Sequence, residues 1–299
     1  MYVITGATGH TGSTAAFHLL AEGKKVRGIG RSADRLQRLV QMGGEAFVAD
    51  LTDSEALTRA FRGAEAVYVM IPPDVAATNL LERQRVLTES IASALEHAQV
   101  PYAVTLSSIG ADKVDGTGPV VGLHRMEERL NKISGLNVFH LRCGYFMENF
   151  LAQTESIHET GKLFGALDPQ LRLPLVATRD IGDAAAQVLL RLTFTGHQSR
   201  ELQCNEDLNM NEVAAVIGHE IGKPDLKYVR ASNDQLRSSL MLMGMSEDFA
   251  NQLLQMSAAM NSGHMRPLEP RGEHNTTPTT FLKFVQQEFV PRFRRTVAA

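Results

Sequence analysis

The chain has 299 residues, of which 43% are apolar and 21% charged, and its formal net charge is −3. That length supports a sizeable core and the balance is that of an ordinary globular protein. No apolar run approaches the roughly 20 residues that a membrane span requires, so a soluble protein is expected. The small negative charge offers no general field for nucleic acid, and no direct nucleic-acid binding is predicted.

A strand at 2–5 runs straight into a glycine turn, which leaves no room for a cleavable signal peptide. Cys143 and Cys204 are the only cysteines, and the apolar neighbourhood of Cys143 marks it as a buried structural thiol. A reducing, cytoplasmic setting is therefore expected. Runs of β-branched and apolar residues at 2–5, 25–30, 45–49, 66–71, 102–106 and 137–141 alternate with helical patterns at 13–22, 34–42, 54–61, 80–97 and 123–132. This alternation predicts βαβ units, so the fold class is α/β: a Rossmann, doubly wound parallel sheet with helices on both faces.

After Arg142 the rhythm changes. Residues 145–165 read as a helix and turn, Arg179-Asp180-Ile181-Gly182 opens a helix to about Leu192, and 200–204 adds a late strand. From Asn211 the chain reads as mainly helical, Met and Leu crowd 236–260, a final helix covers 276–290, and 292–299 are expected to be frayed. The expected division is 1–149 plus about 179–205 as a dinucleotide-binding unit. About 150–178 plus 206–299 form a smaller, mainly helical lobe over the sheet's ligand edge.

Gly6-Ala-Thr8-Gly9-His10-Thr11-Gly12 lies between the first strand and the first helix. Glycines there allow a tight turn, close approach of backbone N–H groups to a pyrophosphate, and close packing of helix on strand, while the helix N-terminus favours negative charge. Sites that prefer NAD carry an acid at the end of the second strand. This strand ends in Gly30-Arg31-Ser32, where a guanidinium and a hydroxyl suit a 2′-phosphate, so NADP(H) is preferred over NAD(H). The alternative for Arg31 is a solvated loop residue. Asp50, followed by Leu51, is either an acceptor for an adenine amino group or a helix cap. Ile71-Pro72-Pro73 lines the cofactor cleft or simply ends the fourth strand.

These blocks, with Leu106-Ser107-Ser108, the run Leu141-Arg142-Cys-Gly-Tyr145-Phe146-Met-Glu-Asn149, Arg179-Asp180-Ile181 and Thr277-Pro278 before Phe281, resemble the NmrA-like group of atypical short-chain dehydrogenases/reductases. That group includes quinone and dye reductases and NADP-sensing regulators. The resemblance implies a Ser after the fifth strand, met here by Ser107, and a Tyr-x-x-x-Lys pair on the next helix to move a proton. Counting back from Glu128, the helix glutamate by resemblance, His124 stands at the Lys position and Val120 at the Tyr position. No Tyr occurs between Tyr102 and Tyr145. Ser107 and His124 are the candidate catalytic and cofactor-binding residues, His124 through a ribose hydroxyl or as a general acid, or else as an exposed helix-start histidine.

Residues 110–122, with Asp112, Lys113 and Asp115, read as a mobile lid or a long solvated loop. Tyr145, Phe146 and Asn149 follow the sixth strand and are expected to wall the substrate pocket. Met241, Met243, Met245, Met256 and Met260 form its adaptable roof or else plain core or a subunit interface. His219-Glu220 lacks the second histidine of a zinc motif, and no metal is predicted. The expected function is an NADPH-dependent reductase of a small electron-poor substrate such as a quinone or dye, working by direct hydride transfer without the Tyr-Lys relay. The alternative is a non-catalytic NADP(H)-sensing regulator that binds a protein partner. A nucleotide-sugar epimerase ranks third because its chemistry relies on the absent Tyr and Lys. A small-molecule substrate is the expected partner, and a homodimer is left open.

Overall fold

Residues 1–296 are described by the computed structural model, in which strand and helix alternate as βαβ units require. The first half comprises β1 (Tyr2–Ile4), α1 (His10–Ala21), β2 (Val26–Gly30), α2 (Ala33–Gln41), β3 (Glu45–Val48), α3 (Ser54–Phe61), β4 (Ala66–Val69), α4 (Leu80–His97), β5 (Tyr102–Ser108), α5 (Val120–Leu130) and β6 (Asn137–Cys143). The second half comprises β7 (Tyr145–Phe146), a 3-10 stretch Met147–Gln153, α6 (Thr154–Thr160), β8 (Lys162–Gly165), β9 (Leu173–Val176), α7 (Thr178–Arg191) and β10 (His197–Leu202). It closes with β11 (Asp207–Leu208), α8 (Met210–Glu220), β12 (Lys227–Arg230), α9 (Asn233–Leu242), α10 (Glu247–Asn261), α11 (Phe281–Phe284), a π-helical turn Val285–Phe289 and α12 (Val290–Thr296).

Seven strands form one parallel sheet in the order β3-β2-β1-β4-β5-β6-β10. Successive side chains of a strand point to opposite faces, and here both faces are covered. Val3, Val67 and Val69 pack with Leu57, Phe61, Leu95 and Leu130 of α3, α4 and α5, whereas Ile4 and Tyr68 pack with Leu19 of α1 and Ile181 and Leu189 of α7. A third core gathers Phe150, Leu163, Leu175, Met210, Ile217, Phe281, Phe284 and Phe289 from the second half. β1 has β2 on one side and β4 on the other, so the connections leave it in opposite directions. That reversal makes β1 and β4 a topological switch point, at whose carboxyl ends open α/β sheets bind ligands.

Three expectations change in the second half. Residues 145–165 hold β7, the 3-10 stretch, α6 and β8 instead of a helix and turn, because β7 pairs with β9 and β8 with β12. Those partners lie downstream, and local periodicity carries no trace of them. The final helix starts at Phe281, since Thr280 is extended and caps it by accepting from Lys283 N–H. Residues 292–296 are helical, not frayed: Phe293 is buried and stacks on His158 with ring centroids 3.8 Å apart. Residues 297–299 lie outside the described residues. Among the described residues no helix is long and apolar enough to cross a membrane. Cys143 and Cys204 are both free thiols and both buried.

His140 of β6 is 2% exposed, with Nδ1 2.8 Å from the Thr105 hydroxyl and Nε2 2.9 Å from Asn131 Oδ1. Burial pulls its pKa down from 6.5 to about 4. A folded-state value below the unfolded one stabilises the protein fully above about pH 6.5, and that contribution is lost as pH falls toward 4. Between pH 7 and pH 4.5 the group's contribution falls by about 2.5 kcal/mol. Urea unfolding at the two pH values should therefore show a correspondingly smaller acid loss in His140→Gln than in the wild type. Equal losses would refute the assignment.

Candidate cofactor and substrate site

Where β1 ends, Gly6 takes φ +62°, a backbone conformation that residues with a side chain rarely adopt. A Cβ added at Gly12 would lie 2.3 Å from the Gly6 carbonyl oxygen, so α1 approaches the strand end more closely than any side chain permits. Thr5 fixes the same point, donating its hydroxyl to the Tyr68 carbonyl and accepting Met70 N–H, both at 3.0 Å. Tyr68 in turn donates its hydroxyl to Thr11 Oγ1 at 3.0 Å. Gly9 is the N-cap of α1, the first turn carries no acid, and no side chain caps it among the described residues. Thr8, Gly9 and His10 are exposed. Orphan N–H groups at the positive end of a helix, with no carboxylate and no Cβ in the way, suit a pyrophosphate.

At the next strand end Arg31 is exposed, and Ser32 is the N-cap of α2 without using its hydroxyl to cap. Asp50 follows β3 and is exposed; its Oδ1 accepts Thr52 N–H at 2.9 Å and the Thr52 hydroxyl at 2.7 Å. Those two bonds, aided by the charges of Arg83 and Arg31, hold its carboxyl below the usual range. The helix cap is Asp53, which accepts Ala56 N–H at 2.9 Å, so the capping alternative for Asp50 falls away. Leu51 is half-buried against the core, Ile71 is buried, and Pro72 and Pro73 lead out of the sheet in irregular backbone.

Ser107 closes β5 and is 2% exposed. It donates its hydroxyl to Glu127 Oε1 at 2.5 Å, and Arg142 of β6 grips the same carboxylate, Nη2 to Oε2 at 2.6 Å and Nε to Oε1 at 3.1 Å. Glu127 is thus the buried glutamate of α5, while its neighbour Glu128 is exposed and lies 3.8 Å from Lys132 Nζ. α5 contains no Tyr and no Lys, so the helix supplies no Tyr-Lys pair. His124 is half-buried and donates Nδ1–H to the Ala111 carbonyl at 2.9 Å, which leaves Nε2 as the acceptor of the neutral ring.

The loop before α5 is packed for much of its length and is not a long solvated coil. Ala111 and Thr117 are fully buried, His264 Nε2 meets the Asp115 carbonyl at 3.1 Å, and a Cβ at Gly118 would lie 2.1 Å from the Gln252 carbonyl of α10. Beyond β6, Tyr145 and Asn149 line a cleft of about 420 Å³ together with Phe150, Phe164, Tyr228, Met245 and Met256. Burial pushes the Tyr145 phenol up, a hydrogen bond with Asn149 partly offsetting it. Phe146 packs instead with the core on the α1 and α7 face of the sheet. Met260 is buried in the third core, whereas Met241 and Met243 are exposed. Glu127, Arg142 and Glu148 were not singled out from sequence. An arginine inside the apolar run of β6 was the one available signal of a buried ion pair.

A doubly wound sheet with an uncapped glycine turn at its switch point is the framework of dinucleotide-binding Rossmann proteins. The model of the NmrA-like family matches residues 2–280, and the chain belongs to that family. It is 27% identical over 263 residues to an NAD(P)H azoreductase of Xenophilus azovorans, covering 86% of each chain. It is 26% identical over 270 residues to quinone oxidoreductase 2 of Escherichia coli strain K12, covering 88% of this chain and 89% of that one. The solved structure of the E. coli NADPH-dependent quinone oxidoreductase in complex with NADPH superposes with a TM-score of 0.82 at 24% identity, over 97% of this chain and 100% of that one.

Glu127 and Arg142 are 5% and 19% exposed at their side chains. Glu127→Ala leaves the guanidinium without its buried partner and should cost about 3 kcal/mol, the low end of the range because Arg142 keeps some solvent. Ser107→Ala removes one hydrogen bond to a carboxylate that Arg142 still grips and should cost about 2 kcal/mol. Urea denaturation of the two variants checks the ranking, and equal losses would show that the carboxylate does not hold the guanidinium.

Proposed function

We propose that the protein is an NADPH-dependent oxidoreductase that reduces a small electron-poor aromatic substrate such as a quinone or dye. The observation that carries this reading is the open glycine turn at the switch point, in a chain that also holds an aromatic-lined cleft beyond β6. Gly6, Thr8, Gly9, His10, Thr11 and Gly12 hold the pyrophosphate, and Arg31 with Ser32 holds the 2′-phosphate. Asp50 and Leu51 border the adenine, while Ile71 and Pro72 line the cleft toward Ser107 and His124. Bound NADPH supplies a hydride. Tyr145 and Asn149 position the acceptor, for which orientation and exclusion of water are the main requirements.

Because the Ser107 proton is committed to Glu127, Ser107 orders the floor of the site and offers only its lone pairs to a ligand. His124 presents Nε2, and its ring is oriented by the Ala111 carbonyl. In this reading 1–149 with about 179–205 carries the cofactor, and the remainder carries the acceptor. The two buried free cysteines agree with a cytoplasmic location. The committed Ser107 proton also favours a second reading, a sensor that binds NADP(H) and a protein partner without turnover.

Fluorescence titration with NADPH and NADH tests the cofactor assignment. Arg31→Ala should weaken NADPH binding by about tenfold or more, the loss of one charge-assisted contact, and leave NADH within about twofold. Equal affinities for both cofactors in both proteins would overturn the preference. NADPH oxidation assayed with a quinone panel separates the two readings, since tight cofactor binding without acceptor-dependent turnover leaves the sensor.

A further inference from the structure

A second cavity, of about 460 Å³, lies where the sheet ends at β10, between that strand, α7 and the segment 273–278. Its size is that of a small-molecule site. Gln198, Arg200 and Leu202 alternate along β10 and line it together, as residues on one face of a strand do. The floor is apolar: the rings of Phe139 and Phe194 meet edge to face with centroids 5.4 Å apart, and Val188 and Leu202 lie beside them. None of the lining residues lines the acceptor cleft or belongs to the glycine turn, so this site stands or falls apart from the reductase reading.

Two guanidiniums on the wall have no anionic partner. Arg200 lies over the Phe139 ring at 5.1 Å and makes no hydrogen bond or ion pair among the described residues, and Arg191, in the last turn of α7, makes none either. Most of the acids are already engaged. Asp183 lies 3.0 Å from His18 Nδ1, and Asp180 accepts Thr279 N–H at 2.8 Å and the Thr279 hydroxyl at 2.7 Å. Glu273 is exposed and has no partner among the described residues, and its neighbour His274 lies 3.6 Å from Glu269. Thr277, only 7% exposed, adds a buried hydroxyl with no hydrogen-bond partner among the described residues.

We propose that this cavity binds a small aromatic carboxylate, held by Arg200 with Arg191 as a second arm. A guanidinium stacked on a ring keeps its N–H fork free in the plane, in a geometry that matches a carboxylate bidentately. The stack also restricts the side chain beforehand, so little rotamer freedom is left to lose on binding. The apolar floor takes the aromatic body, whereas a neutral arene leaves both guanidiniums without a partner and an organic cation is repelled by them. The carboxylate belongs toward the end of α7, because Asp180 stands in its first turn, eleven residues and about 16 Å before Arg191. At the other end a bound oxygen atom relieves the cost of the unpaired Thr277 hydroxyl.

Isothermal titration calorimetry of the full chain tests this with naphthoate, its neutral counterpart naphthalenemethanol, and inorganic phosphate. The wild type should bind naphthoate at least about tenfold more tightly than either, with affinity falling as salt rises. Arg200→Gln should weaken naphthoate by about tenfold or more and Arg191→Gln by about threefold or more, while NADPH affinity changes by less than about twofold in both. Naphthoate that settled in the acceptor cleft instead would be indifferent to both substitutions. Thermal melts show whether the variants are folded, and Arg191 is exposed at a helix end, so its variant decides the matter if Arg200→Gln does not fold. No saturable naphthoate binding up to about 1 mM, the alcohol or phosphate bound as tightly, an unchanged affinity in either folded variant, or a parallel loss of NADPH affinity would overturn the proposal.

Discussion

The approach of α1 to the end of β1 is the constraint on which the molecule depends. Backbone meets backbone there, because Gly12 brings nothing to stand between the helix and the Gly6 carbonyl. Thr5 then ties β1 to β4 with one hydroxyl, and Tyr68 ties β4 to the first turn of α1. The switch point is thus closed on the protein side by three hydrogen bonds and left open on the other side, where the helix N-terminus has no internal acceptor. α7 packs against the same helix, and a Cβ at its Gly182 would come within 2.7 Å of the Thr11 carbonyl oxygen. The second half of the chain therefore docks on a surface that exists only because the first turn is tight.

A second dependency runs through charge. Glu127, Arg142 and Ser107 form a buried set that joins α5 to the ends of β5 and β6. Such a set stabilises little relative to an apolar replacement, yet removal of one member strands the rest. It engages the Ser107 hydroxyl and fixes the carboxyl ends of β5 and β6 against α5. Asp180 plays a comparable part farther along, accepting Thr279 N–H at 2.8 Å and the Thr279 hydroxyl at 2.7 Å, so that the Thr-Pro segment near the end of the chain returns to the start of α7.

Much of the first half was legible in the sequence, for a physical reason. Strands buried on both faces need unbroken apolar runs, and helices that cover them need a stripe, so the two periods separate cleanly through β6. The glycine turn was legible because backbone proximity restricts residue type more sharply than packing does. The second half was obscure because β7, β8 and β9 take partners far away in sequence and are too short to show alternation. The buried role of Glu127 was not legible because Glu127 and Glu128 are chemically identical, and only burial tells them apart. The 110–122 loop looked mobile from its glycines, but three of them stand where the backbone turns at positive φ, and one of those, Gly118, also presses against α10. Glycine content alone does not separate close packing from looseness.

The covering of the cleft has a consequence for how such a protein changes over generations. α9 has no buried residue, and Leu242 at its end is 89% exposed, although Leu236 and Leu240 reach the cleft wall. Substitutions on that helix can reshape what the cleft admits while drawing almost nothing from the three cores that keep the chain folded. The other walls of the cleft are shared with the third core, through Phe150, Leu163, Met210 and Val213 among others, so α9 is the part of the wall that can vary without loss to that core. A lineage built on this fold can therefore vary that edge of the cleft without passing through sequences that fail to fold.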